Sequence, residues 1–184
     1  MISDTDQVAR PQGFKIVDAV AADAAMLAEI GARTFHDSFA KDNSLEDMRK
    51  HLESSFSPQR QLEEIQNPAI DTLLLRESGG AAIAFAQLRA GKVADGVPAT
   101  GSIELWRFYV ERQWHGRGIA HELMNAAKAR ARRRGATTLW LGVWERNARA
   151  QAFYSKHGFR KVGRQVFVVG SDPQTDNVLL CDLG

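Results

Sequence analysis

Residues 113–123 read QWHGRGIAHEL. Gly116 and Gly118 stand one residue apart at the head of a helical run in which Ile119, Leu123, Ala127 and Ala131 share one side. Glycine tolerates the positive φ values that aim bare backbone N–H groups at one point. A helix N-terminus adds its dipole, so the stretch predicts an anion site. Two nucleotide-binding patterns fail here. A P-loop requires Lys-Ser/Thr after its last glycine, where Ile119-Ala120 stand. A dinucleotide fingerprint requires a third glycine at His121, inside a strand–helix repeat that the flanking sequence lacks. What fits is a strand, SIELWRFYV (102–110), then Gln113-x-x-Gly116-x-Gly118, then a helix over 118–134 closed by Gly135.

Working outward, FKIVDAV (14–20) alternates as a strand. A helix is expected from Asp23 to about Phe39, with Met26, Leu27, Ile30 and Thr34 near one face. SLED (44–47) resembles a capping box and opens a helix carrying Leu45, Met48 and Leu52. Ser57-Pro58 supplies an N-cap and a first-turn proline for a third short helix, carrying Leu62 and Ile65. DTLLLRES (71–78), Gly79-Gly80 and AAIAFAQLRA (81–90) read as a hairpin. Beyond the glycine turn come a strand, TTLWLGVW (137–144), a helix over 147–157, and two strands, FRKVGRQVFVVG (159–170) and DNVLLCDL (176–183). The order predicts an α+β fold: a mixed, mostly antiparallel central sheet with helices on both faces and one βαβ crossover. Residues 1–12 read as a loose tail, and 13–184 as one domain.

The chain has 184 residues, 44% hydrophobic and 25% charged, with a net charge of +2. That balance carries no footprint of nucleic-acid binding, and no apolar run is long enough to span a membrane. The charge is divided, however. Residues 1–104 hold 10 Lys/Arg and 16 Asp/Glu, and residues 105–184 hold 14 and 6. An acidic half suits a cationic ligand and a basic half a polyanion, or both are solvated faces. The Arg cluster at 130–134 ends a helix, where cations suit the dipole, and is read as structural. The single cysteine, Cys181, lies in the apolar run VLLCDL and reads as buried; with no signal peptide, a reducing cytoplasm is expected. The histidines at 36, 51, 115, 121 and 157 show no metal-ligand spacing, so no metal is expected.

Some thirty residues after the glycine turn stands NARAQAFYSKHGF (147–159). The turn and this segment together resemble the GNAT N-acetyltransferase superfamily over nearly the whole chain. The resemblance implies acetyl-CoA as co-substrate, with its pyrophosphate ringed by N–H groups from about His115 to Ala120, through Gly116, Gly118 and Ile119. Gln113 begins the motif and Arg117 adds charge-assisted contacts there. It implies that backbone near Phe108, Tyr109 and Val110 pairs with the pantetheine arm and faces the thioester oxygen, that Asn147 completes the cofactor site, and that Tyr154 is the general acid for the departing thiolate. The side chains of Phe108 and Val110 can pack in the core while their backbone binds, and a core aromatic is the alternative reading of Tyr154.

TFHDSF (34–39), NSLEDMRKHLESSF (43–56), LWLGVWERN (139–147) and VFVVGSDPQTDNVLL (166–180) resemble one branch, the PaiA-type polyamine acetyltransferases. That implies a small primary amine as acceptor, spermidine or spermine in class, which suits the acidic half. Alkylamines are protonated at neutral pH, near the lysine pKa of ~10.4, so a base is required. Glu104 is the candidate, placed by alternation on the same face as Trp106, Phe108 and Val110, with a solvated edge glutamate as the alternative. Glu111 and Glu145 are reserves. Gly142 stands where a branch acetylating protein N-termini carries a Glu. Trp106 stands where a second acid is expected in the polyamine branch; it and Trp144 could hold a cation on their rings. His36 is a candidate on the acceptor side. Another amine (an amino sugar, a peptide or a protein), a CoA-binding sensor without turnover, and a homodimer remain open.

Overall fold

The computed structural model describes residues 13–184; the expected tail at 1–12 lies outside them. The elements are β1 (Phe14–Asp18), α1 (Ala24–Phe39), α2 (Leu45–Ser55), α3 (Pro58–Gln66), β2 (Ile70–Glu77), β3 (Ala82–Arg89), β4 (Ser102–Val110), α4 (Ile119–Arg133), β5 (Thr138–Trp144), α5 (Ala148–Lys156), β6 (Arg160–Val169) and β7 (Asp172–Asp182). Local chemistry sets many of the boundaries. The Ser44 hydroxyl accepts the Asp47 N–H at 3.1 Å, the Ser57 hydroxyl accepts the Arg60 N–H at 3.2 Å, and Pro58 opens α3. β7 begins four residues before its expected start. Pro173 argues against a strand from sequence, but it pairs with Val168 on the edge strand β6, near the hairpin turn.

The seven strands form one sheet in the order β1-β2-β3-β4-β5-β7-β6. All neighbours are antiparallel except β4 and β5, which run parallel across the α4 crossover. On one face α4 buries Ile119, Leu123, Met124, Ala127 and Ala131 against Leu73, Leu75 and Leu105. On the other, Leu27, Ile30 and Phe35 of α1 pack with Met48, Phe56, Leu74 and Phe85. Cys181 is buried in the first core.

Two expectations are corrected. α3 buries Gln61 and Glu64 fully, while Leu62 and Ile65 are half-buried, Ile65 packing on the α1-side core. The cause is Arg107 on β4, itself buried: its guanidinium donates to the carboxylate of Glu64 and, at 2.6 Å, to the side-chain amide oxygen Oε1 of Gln87. A guanidinium out of water must be matched, so α3 turns its polar side inward. The divided charge is also partly self-satisfied. Arg130 bonds Asp18 and Asp71, Arg134 bonds Asp71, and Arg107 bonds Glu64, each pair joining the basic half to the acidic one.

Candidate active site

The parallel β4–β5 ladder is only three pairs long, from Ser102 with Thr138 to Glu104 with Trp140. Past Glu104 the strands part. The β5-facing edge of β4 from Leu105 to Val110 therefore has no strand partner, while its other edge remains paired to β3. A cavity of about 630 Å³ opens at this splay, lined by Phe108, Tyr109 and Val110 of β4, Trp144 of β5 and Tyr154 of α5. An extended chain with amide groups can take the vacant ladder position there.

At one end of the splay lies the glycine turn. Gly116 has φ +77° and Gly118, the N-cap of α4, has φ +79°. The N–H groups of Gly116, Arg117, Gly118, Ile119 and Ala120 find no carbonyl acceptor among the described residues. A side chain at Gly116 would meet nothing within 4 Å, so the space before the turn is open. Convergent N–H groups at the head of a 15-residue helix fit a pyrophosphate. The ring begins one residue later than expected. The His115 N–H closes a 3-10 turn on Arg112, and its ring Nε2 bonds the Val110 carbonyl at 2.9 Å.

The other expected residues divide between the cavity lining and its surroundings, where Gly116 and Gly118 themselves also lie. Gln113 is exposed and donates to Glu111 at 3.0 Å, outside the cavity. The Arg117 guanidinium lies 5.1 Å from the Trp114 ring centroid, also outside it. Asn147 lines the cavity, yet its side-chain oxygen caps α5 by accepting the Ala150 N–H at 3.0 Å. Ala120 lines the cavity, whereas Ile119 is fully buried under α4. His36 is exposed and does not line the cavity, whereas Asp37 does. One residue on a helix is a rotation of about 100°, enough to reverse inside and outside.

The largest correction concerns β4. Leu88 of β3 pairs with Leu105, and Gln87 with Arg107, so Trp106 is an extra residue in a β-bulge. The bulge breaks alternation. Ile103 and Leu105 face α4, and so do Phe108 and Val110 beyond it, whereas Tyr109 joins the α1 side. Glu104 thus shares its face with Arg107 and Tyr109 and not with Phe108 and Val110. It is no solvated edge residue: it is 4% exposed, and Arg89 donates to its Oε2 at 2.9 and 2.6 Å. The Trp106 ring carries two guanidiniums, Arg89 and Arg107, each 4.0 Å from its centroid, so it already makes cation contacts within the fold. Of the reserves, Glu111 is paired with Arg33 and Glu145 is exposed.

Tyr154 is 9% exposed and packs among Phe108, Phe153 and Phe159. Burial, with the Tyr109 phenol nearby, pushes its pKa well above 10, so the phenol stands neutral in the cavity. Burial also pushes Tyr109 up to about 12, against the pull of Arg107 and with the Asp176 carboxylate adding to the rise. No sequence pattern marks Asp176 as a site residue. It ends the run Asp172-Pro173-Gln174-Thr175-Asp176, lies 7% exposed on β7, and lines the cavity.

The far wall is tied shut. Asp47 accepts the Ser171 N–H and hydroxyl, each at 2.7 Å, and Gln174 donates to Asn43 at 2.6 Å. These bonds join the α1–α2 region to the β6–β7 hairpin, whose Gln174 lines the cavity.

A family model for the acetyltransferase (GNAT) family matches residues 35–159. The chain is 34% identical to an uncharacterized N-acetyltransferase from the pepI 3' region of Lactobacillus delbrueckii subsp. lactis, over 91% of this chain and 96% of that one. It is 32% identical to an uncharacterized N-acetyltransferase of Mycobacterium tuberculosis, over 88% of this chain and 98% of that one. Among solved structures it is similar to the PaiA N-acetyltransferase of Thermoplasma acidophilum in complex with coenzyme A, with TM-score 0.75 at 20% identity, over 93% and 99% of the two chains. It is also similar to the ribosomal-protein-S18-alanine N-acetyltransferase of Escherichia coli, with TM-score 0.68 at 17% identity, over 93% and 94%. The glycine turn and the free β4 edge fit the pyrophosphate and pantetheine of acetyl-CoA, and among the described residues no His/Cys/Asp/Glu cluster could hold a metal. The chain belongs to the acetyltransferase (GNAT) family and is an acetyl-CoA-dependent N-acetyltransferase.

Proposed function

We propose that the acceptor is a small primary amine carrying a second cationic centre, a polyamine of the spermidine or spermine class. The supporting observation is the placement of two carboxylates, Asp37 and Asp176, on the lining of one cavity with Phe39 and Trp144. Those two rings meet edge-on at 6.2 Å, an apolar surface suited to a methylene chain between charged ends. The tied wall between α1–α2 and the β6–β7 hairpin favours a slender acceptor over a folded protein. Lys41 and Lys92 also line the cavity, so an amine bearing a carboxylate is the competing class. The free thiol of Cys181 and the demand for acetyl-CoA support a cytoplasmic setting.

The test is CoA release with spermidine, spermine, a simple alkylamine, an amino sugar, an amino acid and an N-terminal alanyl peptide at saturating acetyl-CoA. A polyamine kcat/KM at least tenfold above every other acceptor is expected. Preference for the amino acid or the peptide refutes the polyamine reading and leaves the acetyltransferase assignment intact.

A further inference from the structure

Three carboxylates are buried around β4, and their partners differ. Glu64 is paired to Arg107 and Arg60, and Glu104 to Arg89. Asp176 has no ion pair among the described residues. A buried carboxylate without a cation is costly unless something repays it, and such groups cluster at functional sites.

The fold makes room for this one. Asp176 pairs with Trp144 on β5 and Gln165 on β6, and its side chain reaches back over Gly142. A Cβ at Gly142 would lie 2.9 Å from Asp176 Oδ2 and would overlap the Gln165 amide. The absence of a side chain at 142 and the presence of a carboxylate at 176 are thus one arrangement. The acid is delivered across the β5–β7 ladder into the space above Gly142.

We propose that Asp176 is the proton acceptor of acetyl transfer, its carboxylate taking a proton from the acceptor ammonium. The inference rests on acetyl transfer to an amine and is independent of which amine is used. The ammonium first gives one N–H proton to Asp176. The freed nitrogen lone pair forms the C–N bond to the acetyl carbon while the C–S bond breaks with its electron pair on sulfur. Sulfur takes the Tyr154 hydroxyl proton. The amide nitrogen sheds its surplus proton to the resulting phenolate, and Asp176 releases its own to water, so one proton leaves per turnover.

The groups around Asp176 agree with this role. Tyr109 on β4 and Tyr154 on α5 face the same cavity as neutral phenols. Gln165 on β6 is an amide, and β5 presents Gly142 and Trp144. Glu104, already matched by Arg89, is the further acid of β4, and Asp37 and Lys41 stand at the α1 end. Arg89 and Lys92 line the cavity by the end of β3, and Arg112, His115 and Arg149 line it near the glycine turn and α5. Burial raises Asp176 to about 6, with Gln165 pulling the other way. It remains ionised at neutral pH while being far more basic than a solvated aspartate. The same desolvation lowers the pKa of an entering ammonium and narrows the gap the proton must cross.

The experiment compares wild type, Asp176→Asn, Gly142→Ala and Glu104→Gln. Each is measured for CoA binding by calorimetry, for Tm, and for kcat/KM against pH with the best amine of the panel above. The free enzyme's carboxyl titration is followed by 13C NMR. Asp176→Asn is expected to cut kcat at least 100-fold, abolish the acid limb near pH 6 and leave CoA affinity within twofold. Gly142→Ala, which displaces the carboxylate, should cut kcat tenfold or more. In wild type one carboxyl should titrate near 6 and be missing from Asp176→Asn. A retained acid limb in Asp176→Asn, or its loss in Glu104→Gln alone, overturns the proposal, as does an Asp176 carboxyl titrating near 4.

Discussion

Replacing Tyr154 by Phe removes one oxygen from the cavity and little else. The phenol is buried among three phenylalanine rings, and its raised pKa arises from burial and the neighbouring Tyr109, with no hydrogen bond contributing. A buried hydroxyl without a protein partner contributes little to stability, so the Phe variant should unfold within about 1 kcal/mol of wild type. Turnover is different. If the hydroxyl supplies the proton for the departing sulfur, its loss removes a positioned general acid, which contributes roughly 10²–10⁴ in rate. The lower figure equals about 2.7 kcal/mol of barrier at 1.36 kcal/mol per decade. The expected result is a kcat at least 100-fold down, with acetyl-CoA affinity within twofold and Tm nearly unchanged. CoA release by a thiol reagent gives kcat, and calorimetry gives the affinity. A kcat within threefold of wild type would remove Tyr154 from the chemistry and return it to the core.

Gly118→Ala places a side chain at φ +79°, a strain of about 1–2 kcal/mol, and misaims the N–H groups at the head of α4. Calorimetry should show acetyl-CoA bound at least tenfold more weakly, and unchanged affinity would remove the turn from the site. Glu64→Ala leaves the Arg107 guanidinium buried without its carboxylate, at a cost of about 3–5 kcal/mol in urea unfolding; a loss under 1 kcal/mol would show that water replaces it. His51 stacks on Phe35 at 4.2 Å, and burial, with Arg107 nearby, lowers its pKa to about 4. Between about pH 6.5 and 4 the unfolded chain binds a proton that the folded site refuses, so His51 costs stability as pH falls through that window. The ring is partly solvated, and screening reduces the effect to roughly 1 kcal/mol. Asp176, raised to about 6, works oppositely, adding stability at low pH that is lost as pH rises from about 4 through 6. His51→Phe should therefore flatten the Tm fall of wild type between pH 6.5 and 4.5, and parallel curves would refute the assignment.

What the sequence disclosed was local. Ser44 and Ser57 cap the helices that follow them within three residues, and Gly116 and Gly118 turn the chain just before α4. Each signal lies within one turn of its effect. The misplacements arise where the cause sits on another element. His36 and Asp37 differ by one helical step, and only the packing of α1 against the sheet decides which lines the cavity. The polar side of α3 turns inward because of Arg107, more than forty residues away on β4. Asp176 ends the DPQTD segment without any local pattern to mark it, because its meaning depends on the β5–β7 register that sets it above Gly142.

The bulge at Trp106 explains why the site resists a strand-by-strand reading. Strict alternation puts Glu104 on one face with Phe108 and Val110 and makes it the candidate base. One extra residue turns the second half of β4 over, so that Phe108 and Val110 remain on the α4 side while Tyr109 enters the α1 side. The bulge lies just past the last β4–β5 pair, so the chain reverses its faces where the ladder opens. Glu104 is left at the closed end of the splay with its own arginine, neutralised within the fold. The open side then has one buried carboxylate whose cation the described residues do not supply, and a reaction whose acceptor arrives as a cation supplies it at each turnover. The same charge accounting that matches Glu64 to Arg107 and Glu104 to Arg89 leaves Asp176 unmatched among the described residues, and on that ground it is proposed as the proton acceptor.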